Sequence, residues 1–252
     1  MCVEDGSRPP LPPIRGSALD VRDLVLTASD DATFAAVLAR AGAPAAAGVV
    51  ILPDWRGLHP FYEELALRFA EAGVHAVAID PYGRTAGAAK RPPDFVFEEH
   101  FLQLNAAALT ADVASAVALL RSAEGGAAAR VYTLGFCVGG RASFLQAAEG
   151  HELAGAIGFY GWPVGDHRSG LPAPIDRTDR FSCPVLAIFA GADYGISDED
   201  AAIFDAALTR DGVSHETVTY PGAPHGFFDK SNEAFADASA DAWRRVLAFM
   251  RA

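Results

Sequence analysis

One cysteine stands between glycines in Leu134-Gly135-Phe136-Cys137-Val138-Gly139-Gly140. It follows an apolar run and precedes Arg141-Ala142-Ser143-Phe144-Leu145, which reads as a helix. A strand, a turn and a helix in that order put the central residue on a sharp bend. Small neighbours let the backbone fold tightly there and hold the side chain out into solvent. The helix aims unpaired N–H groups and partial positive charge at the sulfur, which favours thiolate over thiol. G-x-C-x-G is the spacing of a nucleophile elbow with sulfur in place of the usual hydroxyl. Acyl transfer from such a thiol needs an imidazole to take its proton and a carboxylate to orient that imidazole. Asp193, in Phe189-Ala190-Gly191-Ala192-Asp193, and His225, in Tyr220-Pro221-Gly222-Ala223-Pro224-His225-Gly226-Phe227, each follow an apolar run. Each residue also has a plainer reading: a small core cysteine, a loop-turning aspartate, a histidine in a Pro-Gly turn. Their joint order, and their placement at the ends of three runs, favours chemistry.

The elements that would position these groups follow from periodicity. Val21–Ala28 and Thr33–Leu38 read as a hairpin around Ser29-Asp30-Asp31. Gly48–Pro53 is a continuous apolar run of the kind expected for a strand buried on both faces. Pro60–Ala72 has helical spacing, Val74–Ile79 is a strand, and Glu98–Ser122 reads as one long helix. Arg130–Gly135 leads into the elbow and Gly139–Ala148 follows it. Leu153–Tyr160, Pro184–Ala190 and Ser214–Tyr220 are further strands. Glu199–Arg210 and Asn232–Met250 are helices. Between two strands, Gly161–Ser182 is an irregular excursion rich in Pro, Gly, Asp and Arg. Alternating strands and helices indicate an α/β fold with a mostly parallel sheet covered on both faces. In such sheets active groups gather at the carboxyl ends of the strands. The N–H of Val138, and that of Trp55 in the loop after the first buried strand, are then the expected oxyanion donors.

Composition bounds the rest. The 252 residues, 51% apolar and 21% charged, suit one large domain over 19–252, preceded by a Pro-rich flexible lead-in over 1–18. A net charge of −12 disfavours nucleic acid or an anionic membrane surface as partner. Cys2, Cys137 and Cys183 are odd in number and far apart, which suggests neither a disulfide framework nor a zinc site. Cys183 reads as core and Cys2 as tail. Met1–Gly16 lacks the apolar stretch of a secretory leader, and no run is long enough to span a bilayer. The expectation is a cytoplasmic protein. Histidines 59, 75, 100, 151, 167 and 215 read as structural or solvated.

Several segments together resemble the dienelactone hydrolase family of α/β-hydrolases. They are Val50-Ile51-Leu52-Pro53-Asp54-Trp55-Arg56-Gly57, Ile79-Asp80-Pro81-Tyr82-Gly83-Arg84, the elbow itself, Gly158-Phe159-Tyr160-Gly161, Gly191-Ala192-Asp193 and Tyr220 to Phe227. They run in family order from about residue 20 to the end. The resemblance implies a triad of Cys137, Asp193 and His225, and an auxiliary acid at Asp54, here one methylene shorter than the family's usual glutamate. The family grips a substrate carboxylate with two arginines. One of those positions carries Asp229 beside Lys230, and the other lies in Asp94–Phe101, which has no arginine. Arg84 and Arg91 lie nearby, and Arg84, Tyr160 and Phe227 are the remaining candidates for substrate contact. An acid at a clamp position would repel a dicarboxylate.

The reading that results is a hydrolase of a small-molecule ester or lactone working through a cysteinyl acyl-enzyme, with no metal or organic cofactor implied. A non-catalytic ligand-binding protein of the same fold is the alternative. Thioester or carbon–carbon cleavage would use the same residues.

Overall fold

The computed structural model describes residues 6–13, 19–43, 45–92 and 94–251. Cys2 and most of the expected lead-in lie outside these residues. The chain runs β1 (Leu19–Thr27), β2 (Thr33–Ala41), β3 (Ala47–Leu52), α1 (Pro60–Glu71), β4 (His75–Ile79), α2 (Gly83–Ala86), α3 (Glu98–Phe101) and α4 (Ala106–Arg121). It continues through β5 (Arg130–Phe136), α5 (Val138–Gln146), β6 (Gly155–Phe159), β7 (Val185–Ala192), α6 (Asp198–Arg210), β8 (His215–Pro224) and α7 (Ala236–Phe249).

The strands form one eight-stranded sheet in the order β1-β2-β4-β3-β5-β6-β7-β8. β1 pairs antiparallel with β2, and β2 antiparallel with β4; every other pairing is parallel. The inner parallel strands are buried on both faces, as their unbroken apolar runs require, whereas β8, at the sheet edge, is half-buried. β3 shows this residue by residue. Val49 and Ile51 join a core with Phe61 and Phe69 of α1 and Val246 of α7, whereas Val50 and Leu52 join a second core with Leu109, Val113 and Val117 of α4.

One expectation needs correction. The long helix over 98–122 is broken, because Asn105 is extended and its side chain accepts from the Ala108 N–H, capping a fresh helix start at Ala106. The described part of the expected lead-in, residues 6–13, makes contacts with the domain. The Arg8 carbonyl accepts from Lys230 N at 2.8 Å, Arg8 pairs with Glu64 at 3.3 Å, and Ser7 is buried.

Candidate active site

The elbow is built by backbone against backbone. Cys137 sits at φ 57° and ψ −122°, a left-handed region that L-residues avoid. Its N–H donates to the Phe159 carbonyl at 3.0 Å, and its own carbonyl accepts from Arg141 N at 3.1 Å. Two glycines make the bend possible. A Cβ on Gly135 would lie 1.9 Å from the Gly139 carbonyl oxygen, and one on Gly139 would lie 2.2 Å from that of Leu52. Only glycine lets β5, α5 and the end of β3 approach this closely. Cys137 is not held out into solvent as expected but is buried under the neighbouring strand ends, and Val138 opens α5, where helix geometry supplies its N–H with no acceptor.

His225 and Asp193 come together at the ends of β8 and β7. His225 Nδ1 lies 2.6 Å from Asp193 Oδ2, with both side chains sealed from solvent. The other carboxylate oxygen accepts from Gly195 N and Ile196 N at 2.9 and 3.2 Å. Asp193 is thereby fixed on one side by backbone and on the other by imidazole, which sets the Nδ1–H tautomer. The imidazole is held among rings: Tyr160 at 4.8 Å, Trp162 at 4.8 Å and Tyr194 at 4.9 Å between centroids. Tyr160 follows Phe159, whose carbonyl holds the Cys137 N–H, so the end of β6 joins the elbow to the histidine.

Asp54 closes the other side. Its carboxylate is 1% exposed; Oδ1 accepts from Arg56 N at 2.9 Å, and Oδ2 is buried with no hydrogen-bond partner. The Tyr82 hydroxyl, buried alongside, donates to the Trp55 carbonyl. Burial, with negative charge from Asp54, Asp80 and Cys137, drives the Tyr82 phenol far above its ordinary range and keeps it neutral. That shared influence places Asp54 and Cys137 in one electrostatic neighbourhood.

The expected substrate contacts fare differently. Arg84 is held by Asp30 and Asp112, with a further bond to the Ala108 carbonyl at 3.2 Å, so its donors are committed to the scaffold. Arg91 clamps the buried Asp80, its Nε at 2.8 Å, and the carbonyls of Ala86 and Gly87. Tyr160 and Phe227 are buried to within 1% and brace the imidazole and each other, not an open wall. At the clamp position Asp229 accepts from the N–H and hydroxyl of Ser231 at 2.9 and 3.0 Å. Cys183 is core, as expected, with its thiol pushed up to about 12 by burial.

One residue that sequence reasoning passed over organises the segment after β6. Arg141, fully buried on α5, sends its guanidinium to the carbonyls of Trp162, Val164, Gly165, Leu171 and Pro172 at 2.7–3.4 Å. That fixes the excursion after β6 and brings His167 to 4.8 Å from Trp162. The only signal in the sequence was an arginine in an otherwise apolar helix.

A sheet antiparallel only at one edge, with a strained strand-to-helix bend midway along it, makes this an α/β-hydrolase. Relatives agree. A "Putative carboxymethylenebutenolidase" of Salmonella typhi is 32% identical over 206 residues, covering 79% of this chain and 74% of its own length. A "Probable 2-oxo-3-(5-oxofuran-2-ylidene)propanoate lactonase" of Bradyrhizobium sp. is 28% identical over 210 residues, covering 81% and 82%. The crystal structure of a "Putative Dienelactone Hydrolase" from Klebsiella pneumoniae superposes with TM-score 0.79 at 26% identity, over 93% of this chain and 99% of that one. The family model described as "Dienelactone hydrolase family" matches residues 34–252. The chain belongs to the dienelactone hydrolase family, and is accordingly a hydrolase of a small molecule. Among the described residues no helix is long and apolar enough to cross a membrane.

Proposed function

We propose that the protein hydrolyses a neutral ester or lactone through a cysteinyl thioester. The buried Asp193–His225 hydrogen bond of 2.6 Å, at the same sheet end as a cysteine on a strained bend, carries this reading. The Cys137 sulfur attacks the carbonyl carbon while its proton passes to His225 Nε2. The oxyanion takes hydrogen bonds from the N–H groups of Val138 and Trp55. Collapse expels the alkoxide, which collects the proton from His225 and leaves the acyl group on sulfur. His225 then draws a proton from water, the hydroxide displaces the thiolate, and the proton returns to sulfur. Asp193 holds the Nδ1 proton throughout and stabilises the imidazolium. Asp54, a buried carboxylate with one oxygen lacking a hydrogen-bond partner, serves as the auxiliary acceptor for the resting thiol proton.

Substrate neutrality follows from the cations. Arg84 and Arg91 are committed to Asp112, Asp30 and Asp80, and the clamp position holds Asp229. A dicarboxylate would meet no partner there and one like charge. The butenolidase and lactonase names among the relatives support the bond class. Cys137→Ala should lower turnover of small activated esters by at least about 10³-fold, and brief mixing of the native enzyme with substrate should give an acyl mass on Cys137. Iodoacetamide should label Cys137 before Cys183. An alanine variant with native turnover would overturn the assignment; saturable binding with no turnover in the native protein would favour the non-catalytic alternative.

A further inference from the structure

The site is roofed by a continuous file of rings. From the β3 side it starts at Trp55, which contacts Phe97 at 4.6 Å and Phe101 at 6.3 Å. Phe101 meets His167 edge-on at 6.0 Å, His167 lies 4.8 Å from Trp162, and Trp162 lies 4.8 Å from His225. The file thus spans the strand ends from the expected oxyanion loop to the histidine paired with Asp193. Its two halves come from opposite sides, α3 and the excursion after β6, and an Arg168–Glu98 ion pair of 2.7 Å fastens them at the rim.

The middle of this arch is apolar except at one point. Phe101 has no polar side-chain atom, and Trp162 Nε1 already donates to the Gly195 carbonyl at 2.9 Å. His167 is different. Its Nδ1 accepts from Ser169 N at 3.3 Å and lies 2.9 Å from the Ser169 hydroxyl, which itself accepts from Leu171 N at 3.3 Å. An N–H donating to Nδ1 requires that nitrogen to be unprotonated, so the proton sits on Nε2. The Arg141 guanidinium, gripping the carbonyls on both sides of this turn, holds the ring in place. No described residue accepts from the Nε2–H.

We infer that the His167 Nε2–H donates a hydrogen bond to a neutral oxygen of the substrate lying outside the scissile carbonyl. This deepens the hydrolase reading and rests on it: the substrate is an uncharged ester or lactone with an apolar or planar body and a second carbonyl or ether oxygen. The imidazole stays neutral in this role. Burial, with the positive charges of Arg141 and Arg168 and the neighbouring His225, lowers its pKa to about 4. A neutral donor in an aromatic wall favours an ether or carbonyl over a hydrated carboxylate. His167 is thus a specificity residue, distinct from the groups that make and break the acyl bond.

The test uses matched pairs: phenyl methoxyacetate against phenyl butyrate, and phenyl 3-methoxypropionate against phenyl pentanoate. Each pair exchanges one ether oxygen for a methylene and keeps the leaving group. In His167→Phe, which keeps a ring and removes the donor, KM should rise about tenfold more for an ether ester than for its methylene partner, with the difference absent from kcat. His167→Gln, which restores an N–H donor, should recover part of it. Equal losses within both pairs would show a structural role and overturn the inference, as would no loss in either. Binding of the same esters to Cys137→Ala, followed by tryptophan fluorescence, reads the preference without turnover. If turnover survives Cys137→Ala while the ether preference persists, the cysteine mechanism fails and the His167 contact stands. If binding shows no ether preference, the His167 contact fails on its own.

Discussion

The elbow and the roof are fixed by opposite means. At the elbow, backbone meets backbone: Gly139 lies so close to the end of β3 that a single added carbon would sit 2.2 Å from a carbonyl oxygen. The roof is held chiefly by side chains, above all the Arg141 guanidinium, which reaches five carbonyls of a segment otherwise without regular ladder bonds. The first kind of constraint leaves no room for even one added carbon. The second rests mainly on one side chain from another element, Arg141 of α5. The shape of the elbow is set by the chain's own backbone, and that of the segment after β6 by a side chain from another element.

The comparison can be broken at its strongest point. Gly139→Ala forces a carbon into two backbone carbonyls that have nowhere to move, and should destabilise the fold by more than about 4 kcal/mol in denaturant titration, with ester turnover lost in whatever remains folded. Wild-type stability in that variant would show that the elbow is less tightly set than these distances imply.

Arg141→Met tests the roof. It leaves buried carbonyls without donors, which should cost about 3–5 kcal/mol, while the Cys137 bend persists. The sharper readout is alkylation: Cys137 should react faster with iodoacetamide as the roof loosens. Arg141→Lys keeps the charge and loses the planar fork, so it should recover only part of the stability. Unchanged labelling in Arg141→Met would mean that the excursion stands without its arginine.

The smallest effect separates the two regions by pH. His167 has its pKa lowered to about 4 in the fold, against an ordinary value of 6.5. The unfolded chain binds more protons across that interval, so stability is whole above pH 6.5, falls as pH drops towards 4, and levels off below. His75 and His151 are lowered too, by burial, and slope the same way. His167→Phe should therefore flatten the acid limb without abolishing it. An unchanged slope would mean that the roof exposes His167 to water.

This division also explains what the sequence disclosed. The elbow was legible because its determinants are neighbours: glycines two residues on either side of a cysteine can be read without knowing what lies across the sheet. Asp193 and His225 were legible from their places after apolar runs, and the parallel sheet from the runs themselves. Contacts between distant segments were not. Nothing around Arg84 announces that Asp30 and Asp112 will occupy it, and nothing in the spacing of Tyr160 and Phe227 distinguishes a brace from a wall. His167 gains its tautomer from a serine two residues on, and its setting from an arginine on another element. Asn105 shows the intermediate case: its capping of α4 is local, yet the helical spacing on both sides concealed it.

Arg141 recognises main-chain oxygens, which every amino acid carries. Substitutions between Trp162 and Pro172 can therefore change the side chains set above His225 without disturbing how the segment is anchored. An enzyme built this way can drift from one acyl group to another across generations, keeping its reaction constant while its diet changes.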